Sequence, residues 1–101
     1  MDRTIIFDLE TTGFKGMPQM SANHKVIQAS FYCLENEERF DSFVNPGMAI
    51  PPWSVKCHNI CDDDVKDAPD FKKMFYMFLD NIGIKKEDRI TLIAHNCYGF
   101  D

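Results

Sequence analysis

The sequence predicts an α/β domain in which flanking helices cover a mixed β-sheet. Two observations support this fold class. Segments with strand and helix character follow one another in the order β-β-β-α-β, and the first and last strands are apolar runs typical of buried strands. The chain has 101 residues, of which 45% are hydrophobic and 27% are charged. This composition predicts a folded chain that is one small domain or part of a larger one.

Each predicted strand is a short apolar run bounded by turn-forming residues. The first strand ends at Thr11-Thr12-Gly13 and leads into a polar loop over residues 14–25. The second and third strands form a hairpin across the polar turn at residues 35–38. The four strands are predicted at residues 3–10, 26–34, 39–44 and 90–94.

The longest helix is predicted from an apolar stripe at helical spacing, which is expected to pack on the sheet. Pro69 suits the first position of this helix, and Gly83 suits its C-terminal cap. Short helices are expected at residues 54–58 and from the acidic cluster Asp62-Asp63-Asp64 onward. This cluster suits the first turn and N-terminal capping of a helix better than cation binding. The stripe consists of Phe71, Met74, Phe75, Phe78, Leu79 and Ile82.

The charge balance argues against a protein that coats nucleic acid without sequence preference. Eleven basic and 16 acidic residues give a net charge of −5, and no basic tract is present. The start of the chain lacks the apolar core and cleavage site of a signal peptide, and no apolar run approaches the ~20 residues of a membrane span. An intracellular setting, cytoplasmic or nuclear, is therefore expected, in which the four cysteines are free thiols.

Two carboxylates lie at the end of the first predicted strand. Because side chains alternate along a strand, Asp8 and Glu10 point to the same face, with their backbones ~6.6 Å apart. Carboxylates this close repel one another, and a divalent cation such as Mg²⁺ or Mn²⁺ relieves the repulsion. The pattern alone leaves three interpretations open: solvated acids at a strand end, a phosphatase of the haloacid dehalogenase type, or a two-metal nuclease. Glu10 departs from the Asp-x-Asp-x-Thr pattern of those phosphatases.

The segment Phe7-Asp8-Leu9-Glu10-Thr11-Thr12-Gly13 resembles the first motif of the DEDD-type 3′–5′ exonucleases. Residues 93–96, followed by Phe100-Asp101, resemble the second motif of that family. The segments that match the family between these motifs are Phe43-Val44-Asn45-Pro46, Ile50-Pro51, His58-Asn59-Ile60, Asp63-x-Val65 and Ala68-Pro69-x-Phe71. The similarity covers residues 4–101.

The resemblance implies a ribonuclease H-like fold and a metal-dependent exonuclease that acts on the 3′ end of DNA or RNA and releases nucleoside 5′-monophosphates. It implies that Asp8, Glu10 and Asp101 are catalytic residues that ligate two Mg²⁺ or Mn²⁺ ions. The substrate-binding residues that it implies are Leu9, Thr11, Thr12, His58, Asn96 and Phe100.

Three departures from the family pattern affect this interpretation. Asn59 stands where the family usually has Gly, so a changed turn is expected there. The spacing over residues 96–101 is longer than the commonest form and resembles the animal DNA-repair exonucleases of the three-prime repair type. The third motif, which supplies a histidine general base and a fourth carboxylate, would lie beyond residue 101. Residues 1–101 are therefore expected to be the N-terminal portion of a single exonuclease domain.

Two rival functions remain: a non-catalytic nucleic-acid-binding module of the same fold, and a metal-dependent phosphatase. The three acids Asp8, Glu10 and Asp101 argue against the non-catalytic binding module, because folding does not require them. The second exonuclease motif argues against the phosphatase. The spacing Cys57-His58-x-x-Cys61 is interpreted as free thiols near a turn rather than as part of a zinc site. Trp53 is left open between stacking on a base and covering the sheet edge.

Overall fold

Four strands and three helices make up the fold, which a computed structural model describes for residues 1–12 and 25–94 apart from the side chain of Cys57. Each element lies within a few residues of its predicted position. The strands are β1 (Asp2–Thr11), β2 (Val26–Cys33), β3 (Arg39–Phe43) and β4 (Arg89–Ala94). The helices are α1 (Pro52–His58), α2 (Asp62–Val65) and α3 (Phe71–Ile82).

The strands form one mixed sheet in the order β3-β2-β1-β4. β1 pairs antiparallel with β2, which in turn pairs antiparallel with β3. On its other side, β1 pairs parallel with β4, which comes last in the chain. The predicted hairpin and the predicted mixed sheet are therefore confirmed. β1 has a neighbour on each side, so this strand lies inside the sheet and not at its edge.

α3 covers one face of the sheet and forms the main core with it. The stripe residues Met74, Phe78 and Ile82 are buried, and the ring of Phe78 stacks on Phe31 of β2 with 3.9 Å between the ring centroids. Ile5 of β1 is buried in the same cluster. The predicted packing of the apolar stripe against the sheet is confirmed.

The start of α3 differs from the prediction, whereas its end agrees. Asp70 is the N-cap, and its side chain accepts a hydrogen bond of 2.8 Å from the backbone N–H of Lys73, so Pro69 lies before the cap. A side chain that can satisfy an unpaired N–H favours the cap position over the preceding proline. Gly83 is the C-cap, with a left-handed φ of 79° that glycine adopts at no steric cost.

We expect Asp70→Ala to lower the free energy of unfolding by about 1 kcal/mol, because the Lys73 N–H loses its acceptor in the first turn of α3. Denaturant titration would measure this loss. The matched control is Asp80→Ala, which removes an exposed carboxylate from the same helix without touching the cap. Equal effects of the two substitutions would contradict the capping role.

The sequence predicts that β4 is buried, and this prediction is wrong for the described part of the chain. Ile90, Leu92 and Ile93 have 39%, 55% and 46% of their surface exposed. The reason is the position of α3, which packs over β2 and β3 on the other side of β1. Among residues 1–12 and 25–94, no helix covers β4.

No helix in the described ranges is both long enough and apolar enough to cross a membrane.

Candidate active site

The two acids of the first motif lie on the face of β1 that α3 does not cover. Ile5, Phe7 and Leu9 point toward α3, and the alternation of the strand places Asp8 and Glu10 on the other face. Asp8 is exposed and lines a shallow groove of about 360 Å³ that reaches Arg39 on β3, whereas Glu10 is half-buried. This alternation along β1 agrees with the predicted placement of both carboxylates on one face.

The parallel pairing of β1 with β4 brings the second motif toward these acids. Phe7 pairs with Ala94, the last described residue of β4, and both strands run toward the same edge of the sheet. The predicted site requires β1 and β4 to be neighbours, and they are neighbours in the structure. His95, Asn96, Phe100 and Asp101 lie outside the described residues.

The ladder between β1 and β2 is irregular directly after Glu10. Glu10 pairs with Gln28 but Thr11 pairs with Val26, so one residue of β2 is skipped. Such bulges bend a strand and redirect its side chains, and they occur often beside active sites. The irregular step therefore determines where the end of β1 points.

Thr12 closes the strand beyond this step. Its backbone N–H donates to the Lys25 carbonyl, and its Oγ1 accepts from the Lys25 N–H, both at 2.9 Å. The residue is 2% exposed. The side chain of Thr12 thus helps to close the β1–β2 pair, and Leu9 packs against the core on the far face.

α1 contacts the end of β1 through Ser54 and His58. The Ser54 hydroxyl donates to the Thr11 carbonyl at 2.9 Å and lies 2.6 Å from His58 Nε2. The Ile60 backbone N–H donates to His58 Nδ1 at 3.0 Å. Because an N–H can only donate, Nδ1 must be the unprotonated nitrogen, so Nε2 carries the proton and donates it to the serine oxygen.

Asn59 forms the turn after α1 in a left-handed conformation, with φ 61° and ψ 26°. Its N–H donates to the Val55 carbonyl and caps the helix. Asparagine tolerates this conformation better than most residues, and glycine adopts it freely. The sequence predicts that Asn59 changes the turn. In the structure, Asn59 adopts the conformation that glycine favours at such a cap, so the substitution does not force the backbone out of that region.

Burial lowers the pKa of His58, and the Thr11 carbonyl opposes part of this effect. The folded pKa therefore lies below the unfolded pKa, and the unfolded chain binds more protons between the two values. The stability that the neutral ring contributes is complete above the unfolded pKa, about 6.5. This stability is lost as the pH falls from there through the folded pKa.

We expect the wild-type chain to lose stability more steeply than His58→Gln as the pH falls below about 6.5. The reason is that protonated Nδ1 can no longer accept from the Ile60 N–H. Thermal unfolding followed at a series of pH values would measure the difference between the two proteins. Parallel curves below neutral pH would contradict the assigned protonation state.

The donor chemistry of the acidic face fits a hard divalent cation. Asp8 and Glu10 supply carboxylate oxygens, which Mg²⁺ and Mn²⁺ prefer. Within residues 1–12 and 25–94, no group of three or more His, Cys, Asp or Glu side chains is placed to hold a metal ion. A complete ligand set would therefore need a further acid, and the family resemblance offers Asp101.

The acidic cluster forms the first turn of α2, as predicted, and Asp64 contacts the N-cap backbone. Asp64 accepts from the Cys61 backbone N–H and Asp62 accepts from the Ile50 backbone N–H, both at 2.8 Å.

Cys61 is an exposed free thiol. Trp53 on α1 is 47% exposed, so a large part of its ring is accessible.

Ser54 is the residue near this site that the sequence prediction missed. It is fully buried, and its hydroxyl is the link between α1 and β1. The one signal in the sequence is its position four residues before His58, a spacing at which side chains meet on a helix. Nothing in the sequence pattern points from Ser54 to Thr11, which lies 43 residues away.

The sequence profile of a family described as exonuclease matches residues 5–101, and the chain belongs to this exonuclease family. The DNA polymerase III subunit epsilon of Buchnera aphidicola subsp. Baizongia pistaciae (strain Bp) is 32% identical over 99 residues, which are 94% of this chain and 38% of that protein. The PolC-type DNA polymerase III of Caldanaerobacter subterraneus subsp. tengcongensis is 30% identical over 95 residues, which are 91% of this chain and 6% of that protein. The predicted membership of the DEDD-type exonucleases is confirmed, and the chain spans well under half the length of these relatives.

Solved structures share the fold. A 3′-exonuclease that recognises the 3′ end of the histone mRNA stem-loop matches with a TM-score of 0.75 at 21% identity, over 95% of this chain and 36% of that one. Exonuclease X in complex with 5′-overhanging duplex DNA matches with a TM-score of 0.62 at 19% identity, over 92% of this chain and 48% of that one. The predicted ribonuclease H-like arrangement, a mixed sheet with flanking helices, is therefore confirmed.

Proposed function

We propose that this chain carries the first two motifs of a metal-dependent 3′–5′ exonuclease that hydrolyses phosphodiesters to nucleoside 5′-monophosphates. The observation that supports the proposal best is the pair Asp8 and Glu10 on the open face of β1, beside a parallel strand that leads into the second motif. Two acids that were merely solvated at the end of a strand would have no need of β4 beside them. A phosphatase of the haloacid dehalogenase type would need a second Asp in place of Glu10.

Asp8, Glu10 and Asp101 are the residues that would hold two Mg²⁺ or Mn²⁺ ions. When bound, such ions activate water for attack on phosphorus and stabilise the leaving oxygen. The carboxylates of this chain supply the negative charge and the oxygen ligands that attract and hold the ions. The closure of the strand at Thr12, just beyond the irregular step after Glu10, restrains the end of β1 that carries these acids. The general base would come from the third motif.

The substrate is proposed to be the 3′ end of a nucleic acid strand. The relatives reported above are a DNA polymerase III subunit epsilon and a PolC-type DNA polymerase III. One solved structure with the same fold recognises an mRNA stem-loop, and another binds duplex DNA. Thr11, Thr12 and the ring of His58 would lie near the terminal nucleotide, and Asn96 and Phe100 would shape the second-motif turn. Both nitrogens of His58 are already hydrogen-bonded, so only its ring carbons are available for contact.

The test is mononucleotide release from 3′-labelled single-stranded DNA and RNA by a protein that extends this chain through the third motif. Activity that requires Mg²⁺ or Mn²⁺ and is blocked by a modified 3′ end would support the proposal. Binding of the strand with intact metal binding but without hydrolysis would favour the non-catalytic binding module. Release of phosphate alone from a 3′-phosphorylated strand would favour a phosphatase.

A further inference from the structure

We propose that Ser54 is a positioning residue, which orients the metal-binding end of β1 through the Thr11 carbonyl and links this strand end to the ring of His58. The hydrogen-bonded set of Thr11, Ser54, His58 and Ile60 is called the Ser54 bridge below. The inference rests on the proposed function, because it concerns how the Glu10 carboxylate is held for a metal ion. It adds a residue that lies outside the segments matched to the exonuclease family in the sequence.

The end of β1 has an anchor outside the sheet. The ladder with β2 loses its regular register between Glu10 and Thr11, directly after the Glu10 carboxylate. A bulge of this kind disrupts the ladder locally and bends the strand. The Ser54 hydroxyl donates to the carbonyl of Thr11, one residue past Glu10, and so restrains the backbone at this step.

The helix that carries the anchor is itself fixed. Ile60 follows α1 in the chain and is buried in a second core cluster, against which Val55 of α1 also packs. The other buried members of this cluster include Ile27 of β2. α1 is thus attached to the sheet by apolar contacts that do not involve Ser54, and the serine hydroxyl can transmit this fixed position to β1.

Ser54 has the chemistry that this position requires. It is 0% exposed, so each polar atom around it must find a partner within the protein. A hydroxyl can donate one hydrogen bond while it accepts others. Here it donates to Thr11 and accepts from His58 Nε2, while His58 Nδ1 accepts from the Ile60 N–H. Every proton in the Ser54 bridge therefore has a defined direction.

His58 is a second positioning residue of the Ser54 bridge. Both ring nitrogens are engaged within the protein, so neither can take a proton from a water molecule or bind a phosphate oxygen without breaking the Ser54 bridge. Burial of the ring disfavours its charged form, which agrees with a neutral role. The ring supports Ser54 rather than reacting.

Ser54→Ala should leave the fold intact and loosen the end of β1. Alanine fits the buried position and keeps the helix, but the Thr11 carbonyl and His58 Nε2 each lose a partner. Groups that orient a metal ligand typically contribute 10–100-fold to metal affinity. We therefore expect Mn²⁺ to bind the Ser54→Ala chain about 10–100-fold more weakly than the wild type.

Two readouts on the 101-residue chain test the inference. Calorimetry with Mn²⁺ measures affinity, and nitrogen-15 NMR of the histidine ring reports which nitrogen of His58 carries the proton. The wild type should show a single neutral form protonated at Nε2. Ser54→Ala should keep this form, because the Ile60 N–H still donates to Nδ1, but the Nε2 signal should shift and Mn²⁺ should bind more weakly. The control is Lys56→Ala, which removes an exposed side chain from the same helix and leaves both the Ser54 bridge and the packing of Val55 in place.

Lys56→Ala should leave the His58 signal and the Mn²⁺ affinity at wild-type values. Unchanged Mn²⁺ binding in Ser54→Ala, or an equal loss in Lys56→Ala, would overturn the positioning role. A wild-type chain that binds no Mn²⁺ would overturn the proposed metal site instead. In that case, a shifted Nε2 signal in Ser54→Ala would still support the Ser54 bridge, and an unchanged signal would overturn it.

Discussion

The 101-residue chain is expected to release mononucleotides at least ~10²–10⁴-fold more slowly than a protein extended through the third exonuclease motif, because a general base contributes about this factor. The chain offers Asp8, Glu10 and Asp101, and neither His24 nor His58 is assigned as the base. His58 is excluded by its own contacts, since both of its nitrogens are hydrogen-bonded within the protein. The fourth carboxylate of the family would also be missing, which adds to the loss.

The measurement is the rate of mononucleotide release from a 3′-labelled single strand in Mg²⁺ or Mn²⁺, with both proteins at equal concentration. Asp8→Ala in the extended protein should abolish the activity, and Asp2→Ala, which removes an exposed acid at the other end of β1, should not. Rapid release by the bare chain that Asp8→Ala abolishes would mean that the base lies within residues 1–101. The assigned roles of the site would then be wrong.

Mg²⁺ or Mn²⁺ should stabilise the chain against thermal unfolding. Folding brings Asp8 and Glu10 to one face of β1, whereas the unfolded chain holds no such site. An ion at 100 times its Kd adds about 2.7 kcal/mol to the free energy of unfolding. For a domain of this size, that corresponds to a rise of about 10–20 °C in the melting temperature.

Differential scanning calorimetry with and without the ion would measure this rise. Asp8→Asn should remove most of it, because the substitution keeps the shape of the side chain but removes the charge that holds the cation. Asp2→Asn is the matched control and should keep the full rise, since Asp2 lies six residues away at the start of the strand. A wild-type melting temperature that does not respond to either ion would count against an assembled metal site.

The local elements can be predicted from the sequence because each depends on neighbouring residues. The stripe around Phe78 repeats at helical spacing and ends at Gly83, and both features are present in α3. The alternation of β1 likewise predicts that Asp8 and Glu10 share one face, and the burial pattern of the strand agrees. The N-cap at Asp70 is harder to predict, because Pro69 is an equally strong start signal one residue earlier.

The exposure of β4 cannot be predicted from its own residues. Ile90 to Ala94 have the composition of a buried strand, and only the position of α3 over β2 and β3 leaves them uncovered in the described part of the chain. Burial depends on what packs against a strand, and a strand's own sequence does not contain that information. The same limit applies to Leu9, whose place in the core is set by α3.

The order of the elements, the shared face of the two acids and, through the motifs, membership of the exonuclease family can all be predicted from the sequence. The exposure of β4 and the anchoring of β1 by Ser54 become visible only in the folded chain. Distance along the chain explains this difference. Periodicity and capping act over a few residues, whereas the hydrogen bond from Ser54 to Thr11 joins residues 43 apart that meet only when the helix packs on the sheet.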